Sequence, residues 1–201
     1  MDELTSPIEK CLETVDEFKP LVDRYFTKFY CLNVLDKQDD YCILMHSNRV
    51  CLITLAPSHP IISGDRTVVK LDFQVGGKVD RLSNKVSGKW KHGAQRLKPK
   101  SAILQAECSD GKKFIISSSI SGKLIEVNQS ILKNPNLIKE DAQGHGYIAI
   151  VMPDINVADN YREQLLSHED YEKLVLANST NGTENSVKPS SPRTEKNQSE
   201  S

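Results

Sequence analysis

The sequence predicts a mainly β fold. Three observations carry that expectation. Apolar runs of about five or six residues recur between Tyr25 and Met152. Short polar turns containing Asn, Asp or Gly separate neighbouring runs. Helical periodicity appears only at the two ends of the chain. Many short strands with regular turns belong to a β sandwich or barrel, not to a parallel α/β sheet.

The elements follow in chain order. Residues 1–20 read as an acidic, weakly structured extension. Within it, Ile8, Cys11, Leu12, Val15 and Phe18 fall near helical spacing, so 7–18 predicts a weak amphipathic helix at best. A lone helix of that length is marginal in water. A β-rich domain is expected over 21–153. Residues 25–30 are rich in β-forming aromatics. Residues 41–45 and 50–55 flank His46-Ser47-Asn48-Arg49, which reads as an N-terminal hairpin. Residues 67–75 alternate and run into the turn Gly76-Gly77. Residues 102–108 and 113–117 flank Ser109-Asp110-Gly111-Lys112; Asp-Gly accepts the positive φ that a tight hairpin needs. Residues 123–127 and 147–152 complete the strands.

A helical segment packing on the domain is expected over 154–177. Ser167-His168-Glu169-Asp170 offers an N-cap followed by an acid, just before Tyr171, Leu174 and Val175. Residues 178–201 hold almost no apolar side chain and are expected to be a disordered tail, carrying Ser191-Pro192.

Composition narrows the class. The chain has 201 residues, 38% hydrophobic and 26% charged, with a net charge of −1. Mean hydropathy is −0.45, and no apolar run approaches the ~18 residues of a membrane span. Residues 1–10 show no basic region followed by an apolar one, so no secretory signal is expected, and the acids Asp2, Glu3 and Glu9 argue against a mitochondrial transit peptide. Cys11, Cys31, Cys42, Cys51 and Cys108 are odd in number and widely spaced, which predicts reduced thiols rather than a disulfide framework. The sequons at Asn128, Asn178, Asn181 and Asn197 are then chance matches.

One self-similarity stands out. Val86-Ser87-Gly88-Lys89-Trp90 recurs as Ile120-Ser121-Gly122-Lys123-Leu124. Two such strand-turn units around a central hairpin suit a quasi-symmetric β domain. The second copy continues into Val127-Asn128, Pro135-Asn136-Leu137 and Gly144-His145-Gly146-Tyr147. This order of elements resembles the glycine cleavage H-protein and its biotinyl and lipoyl carrier relatives, over about 84–152. The resemblance implies a barrel-sandwich hybrid core, here with an extra N-terminal β hairpin, short C-terminal helices and the tail. A carrier needs a lysine at the tip of its central hairpin. The tip here is Asp110, Gly111 and Lys112, with the modified position on or beside Gly111 and no acid-x-x-Lys context. The expectation is a degenerate carrier scaffold that bears no cofactor; a lipoyl or biotinyl adduct on Lys112 by intact mass would overturn it.

A closer resemblance rests on other residues. They are Leu21-Val22-Asp23-Arg24-Tyr25-Phe26, His46-Ser47-Asn48-Arg49-Val50-Cys51, Ser58-His59-Pro60, and Asn84-Lys85-Val86-Ser87-Gly88-Lys89 with Gly93-Ala94-Gln95. Cys108-Ser109-Asp110-Gly111 and Gly146-Tyr147-Ile148-Ala149 belong with them. Over about 21–176 the chain resembles the Abitram family of actin-binding transcription modulators. That resemblance implies no enzyme, but a protein binding actin, as monomer or filament, and influencing polymerisation, filopodia and dendrites. It also implies a cytoplasmic pool reaching lamellipodia and growth cones, and a nuclear-speckle pool tied to transcription. It carries over no residue-level site.

The strongest candidate site is a basic stretch. Between positions 78 and 100 lie Lys78, Arg81, Lys85, Lys89, Lys91, Arg96, Lys98 and Lys100 against Asp80, eight bases to one acid or +7. Lys85, Lys89, Lys91, Arg96, Lys98 and Lys100 are the candidate partner-binding residues. In strand spacing Lys89 and Lys91 would share a face and Trp90 would point into the core. Clustered like charge steers association with an acidic partner, actin or alternatively RNA or transcription-associated nuclear proteins. The other reading is a solvated face compensated by acidic flanks. Residues 1–24 and 154–176 each carry −4, so the near-neutral total is a cancellation between regions. His46, His59, His92, His145 and His168 are scattered, with no metal-ligand spacing. Cys42, Cys51 and Cys108 lie in expected strands and read as buried, inert thiols. Gly144-His145-Gly146 lacks the third glycine and the helix of a dinucleotide loop.

Overall fold

A computed structural model describes residues 20–77 and 79–181. The helix expected over 7–18, Lys78 and most of the tail lie outside the described residues. A β-rich unit ends at His168, and a second unit begins at Glu169.

Short helix α1 (Leu21–Tyr25) begins just after Pro20 and hands over to strand β1 (Phe26–Cys31). Tyr25 therefore closes a helical turn instead of opening the strand; the Arg24 amide donates to the Pro20 carbonyl at 3.2 Å. Strands β2 (Tyr41–His46) and β3 (Cys51–Leu55) form the expected hairpin. Arg49 takes positive φ at 72°, and Asn48 Oδ1 accepts the Val50 amide at 3.0 Å. The run expected over 67–75 is broken into β4 (Val68–Asp72) and β5 (Gln74–Val75). The carboxylate of Asp72 accepts the Gln74 amide at 2.8 Å, a local turn that competes with the ladder.

Strand β6 (Val79–Asp80) pairs with β5. Strands β7 (Arg96–Leu97), β8 (Ala102–Cys108), β9 (Lys113–Ser117), β10 (Gly122–Val127) and β11 (Ala149–Met152) follow. Helices α2 (Pro60–Ser63) and α3 (Leu137–Glu140) are single turns set in the connections, with a 3₁₀ turn at Gln129–Leu132. Helix α4 (Ile155–Gln164), strand β12 (Leu166–Ser167) and helix α5 (His168–Asn181) end the described chain. Helix α5 runs through 178–181, where the composition predicts a disordered start to the tail.

The strands make a seven-stranded sheet in the order β12-β1-β2-β3-β11-β10-β7 and a three-stranded sheet β4-β8-β9. One core spans both. Ile43, Met45, Ile53 and Val151 from the first meet Leu71, Leu104, Ala106 and Ile116 from the second. Truncating one of these Ile, Leu or Met side chains to Ala costs about 2–5 kcal/mol, the lost transfer energy plus a cavity. Asn128 is 4% exposed. Its amide nitrogen donates to the His145 and Tyr147 carbonyls at 2.7 and 2.8 Å, so this sequon is a structural tie. The two Ser-Gly-Lys copies differ in structure: Gly122 starts β10, whereas Gly88 sits in a loop at φ 66°. Among the described residues no helix is long and apolar enough to cross a membrane.

Candidate functional site

The basic stretch is a loop over 84–95, clamped at its base by polar side chains. Arg81 is 8% exposed and is not part of a surface. Its Nε and Nη2 donate to the Ala102 carbonyl at 2.9 and 2.7 Å, and Nη1 donates to Gln95 Oε1 at 2.6 Å. Burial pulls the Arg81 pKa down, while these hydrogen bonds hold its charged form. Gln95 Nε2 donates to the Asp80 carbonyl, and Asn84 Oδ1 accepts the Gln95 amide at 2.9 Å. Asn84 Nδ2 donates to the Leu124 carbonyl at 2.9 Å, tying the loop to β10.

Above that base the chain doubles back. Ser87 and His92 exchange backbone hydrogen bonds at 3.0 and 2.8 Å. Gly93 has φ 79°, and a Cβ there would lie 2.5 Å from the Lys85 carbonyl oxygen, so only glycine fits. Trp90 stands at the turn, 70% exposed. The expectation of a strand with Trp90 inward fails, because the Gly88, Lys91 and Gly93 conformations, all at positive φ, replace alternation by a turn. Lys89 Nζ lies 5.9 Å from the indole centroid, a cation–π contact. Lys123 Nζ donates to the Trp90 carbonyl at 2.6 Å.

The structure sorts the remaining candidates. Lys85 and Lys89 are exposed and Lys91 is half-buried. Arg96 pairs with Lys123 across β7 and β10, which brings it to the same sheet end. Its guanidinium is already engaged by Asp154 at 3.0 Å, so part of its charge is compensated. Lys98 and Lys100 are exposed on the next turn, and among the described residues no hydrogen bond or ring contact joins them to Trp90. Lys123 was not among the sequence candidates. Its signal was the repeat, in which it is the counterpart of Lys89.

Known proteins bear on what this loop belongs to. The chain is 44% identical over 157 residues to the Abitram protein of Bos taurus, covering 78% of this chain and 84% of that protein. It is 42% identical over 176 residues to Abitram of Xenopus tropicalis, covering 87% and 96%. It is 43% identical over 157 residues to Abitram of Homo sapiens, covering 78% and 87%. The chain belongs to the Abitram family. Within this Abitram-family chain, residues 82–178 match the family model of the glycine cleavage H-protein. A solved glycine cleavage system H protein from Mycobacterium marinum aligns with a TM-score of 0.46 and 16% identity, covering 72% of this chain and 92% of that one. The H-protein match and the packed sheets describe a mainly β, barrel-sandwich hybrid core.

In the Abitram-family chain the hairpin tip lies where the sequence places it, between β8 and β9. The Gly111 amide donates to the Cys108 carbonyl at 2.9 Å, and Gly111 has φ 79°. Asp110 Oδ1 accepts the Lys112 amide at 3.1 Å, and Asp110 Oδ2 lies 3.6 Å from Arg66 Nη1. Lys112 is exposed at the tip. Among the described residues no group of His, Cys, Asp or Glu could hold a metal ion. Burial pushes the thiols of Cys42 and Cys51 up to about 12, and raises that of Cys108. Thiols held protonated in this way are poor nucleophiles.

Proposed function

We propose that this chain is a non-enzymatic actin-binding protein that regulates actin polymerisation and the remodelling of filopodia and dendrites. It acts in the cytoplasm and its projections, and a nuclear pool at speckles links it to transcription. The observation that carries this reading is the Trp90 loop: an exposed indole with Lys89 near its ring, Lys91 next in the chain and Lys123 on its carbonyl, above a hydrogen-bonded base. Aromatic anchors of that kind dominate binding energy, and surrounding charge sets the encounter rate. Actin filaments are acidic, so lysines around an aromatic centre complement them.

The test is co-sedimentation with filamentous actin at two salt concentrations. Reversing Lys85, Lys89 and Lys91 to Glu weakens binding and removes its salt sensitivity. Unchanged binding of that variant at low salt would overturn the electrostatic site. The exposure of Trp90 also favours a second reading, single-stranded RNA, because indoles stack on bases and cations follow the backbone. A parallel titration with labelled oligouridylate separates the two.

A further inference from the structure

We propose that the acidic segment ahead of Pro20, residues 1–19, lies back over the lysines of the Trp90 loop and competes with the loop's acidic partner. The contact itself does not rest on actin binding, whereas its role as a competitor of actin rests on the reading above. The first observation is the register of the seven-stranded sheet. One row of paired residues runs from Thr27 on β1 through Met45, Cys51 and Val151 to Leu124 on β10. The Leu124 amide donates to the Gln95 carbonyl at 2.8 Å, and Gln95 belongs to the base of the Trp90 loop. Strand β1, and with it the chain arriving from Pro20, thus enters the sheet level with the anchor of that loop.

The distance is within reach of the segment. Five strand spacings of about 4.8 Å separate β1 from the loop base, about 24 Å along the row. Helix α1, five residues long at about 1.5 Å each, adds about 8 Å between Pro20 and β1. Glu9 lies eleven residues ahead of Pro20, and at about 3.3 Å per extended residue it reaches about 36 Å. Asp2 and Glu3 have more chain still.

Charge selects this segment over the other end of the chain. Residues 1–19 hold Asp2, Glu3, Glu9, Glu13, Asp16 and Glu17 against Lys10 and Lys19, six acids to two bases or −4. Residues 182–201 hold Glu184, Glu195 and Glu200 against Lys188, Arg193 and Lys196, a balance of zero. On the loop and the strands that anchor it, Lys85, Lys89, Lys91, Lys98, Lys100 and Lys123 stand against Asp80 and Glu126, six bases to two acids or +4. Arg96 and Asp154 cancel one another in their ion pair. Among the described residues no ion pair holds any of those six lysines, so neither Asp159 nor Glu163 of α4 neutralises them.

Uncompensated charge of one sign draws in a chain of the other, and a covalent tether raises the effective concentration of that chain further. The pairs form at the lysine tips and leave the Trp90 ring in water. Such a cover is electrostatic, individually weak at each pair and sensitive to salt. An acidic partner must displace it before reaching the same lysines.

The experiment treats the full chain with a water-soluble carbodiimide, which joins carboxylates to amines already in contact. Mixing isotopically light and heavy chains separates links within one copy from links between copies. The expected result is links within one copy from Asp2, Glu3 or Glu9 to Lys85, Lys89, Lys91, Lys98 or Lys100. They should exceed links from the same acids to the exposed Lys70, Lys112 and Lys113 and fade at ~0.5 M salt. A full-length variant carrying Asp2→Asn, Glu3→Gln, Glu9→Gln, Glu13→Gln, Asp16→Asn and Glu17→Gln is then titrated with labelled deca-glutamate and with filamentous actin. At low salt it should bind each about threefold to tenfold more tightly than wild type does, and equally at ~0.5 M. Equal linking to Lys70, Lys112 and Lys113, links to the loop from Glu184, Glu195 or Glu200 instead, or links only between copies would overturn the proposal. So would a deca-glutamate affinity that the six substitutions leave unchanged. Should links and the deca-glutamate gain appear while neither chain sediments with actin, the cover stands and the actin reading falls. Actin binding left equal by the six substitutions would instead overturn the competitor role.

Discussion

Arg81 donates two hydrogen bonds to one acceptor, the carbonyl oxygen of Ala102, at 2.9 and 2.7 Å. This single relationship takes one cation out of the basic stretch and makes it the floor under the Trp90 loop. Charge-bearing hydrogen bonds in a buried site are each worth about 1.5–3 kcal/mol. Arg81→Met should therefore destabilise the chain by about 2–4 kcal/mol, read as a lower urea midpoint. Arg81→Lys should recover little of the loss, because an ammonium cannot reproduce the fork to Ala102 and Gln95.

Trp90 separates binding from stability. It is the only tryptophan, and its ring is largely in water. Its emission maximum should move little when the chain is unfolded in urea. Trp90→Ala should change stability by no more than about 0.5 kcal/mol. The same substitution should weaken filament co-sedimentation by about tenfold or more if the indole is the anchor.

Gly93 and Gly88 offer a matched pair. Both take positive φ, at 79° and 66°. A Cβ on Gly93 meets the Lys85 carbonyl oxygen at 2.5 Å, whereas around Gly88 nothing lies within 4 Å. Gly88→Ala should cost only the left-handed penalty of about 1–2 kcal/mol. Gly93→Ala should cost clearly more, because the backbone of Lys85 must move. Chemical denaturation of the two variants side by side reads the difference.

The thiols should be silent in the native state. With its pKa pushed up to about 12, Cys51 is on the order of 10⁻⁴ thiolate at pH 8. Cys42 is in the same position. Peptide mapping after iodoacetamide at pH 8 should find Cys42, Cys51 and Cys108 unmodified in the folded chain and modified in urea. Rapid labelling of Cys42 in the native protein would contradict its burial.

The strands were legible because their signals are local. Apolar runs bounded by Asn48-Arg49, Gly76-Gly77 and Asp110-Gly111 lie where β2–β3, β5–β6 and β8–β9 turn. Phe73 shows the limit: alternation continues through it, yet the Asp72 side chain captures the Gln74 amide and ends the strand. Two-residue strands such as β7 and β12 carry too little pattern to be read, since a partner strand across the sheet defines them.

The sequence by itself determined the mainly β class, the hairpin tip at Asp110, Gly111 and Lys112, and the accumulation of positive charge before Lys100. Each follows from residues adjacent in the chain. Tertiary structure alone decided what each charge does. Arg81 is buried because Ala102 and Gln95 supply partners, Arg96 is compensated by Asp154, and Lys123 joins from another strand. It also turned Trp90 outward, because a close approach of Gly93 to Lys85 folds the segment into a loop. Those choices depend on partners distant in sequence, which local patterning does not encode.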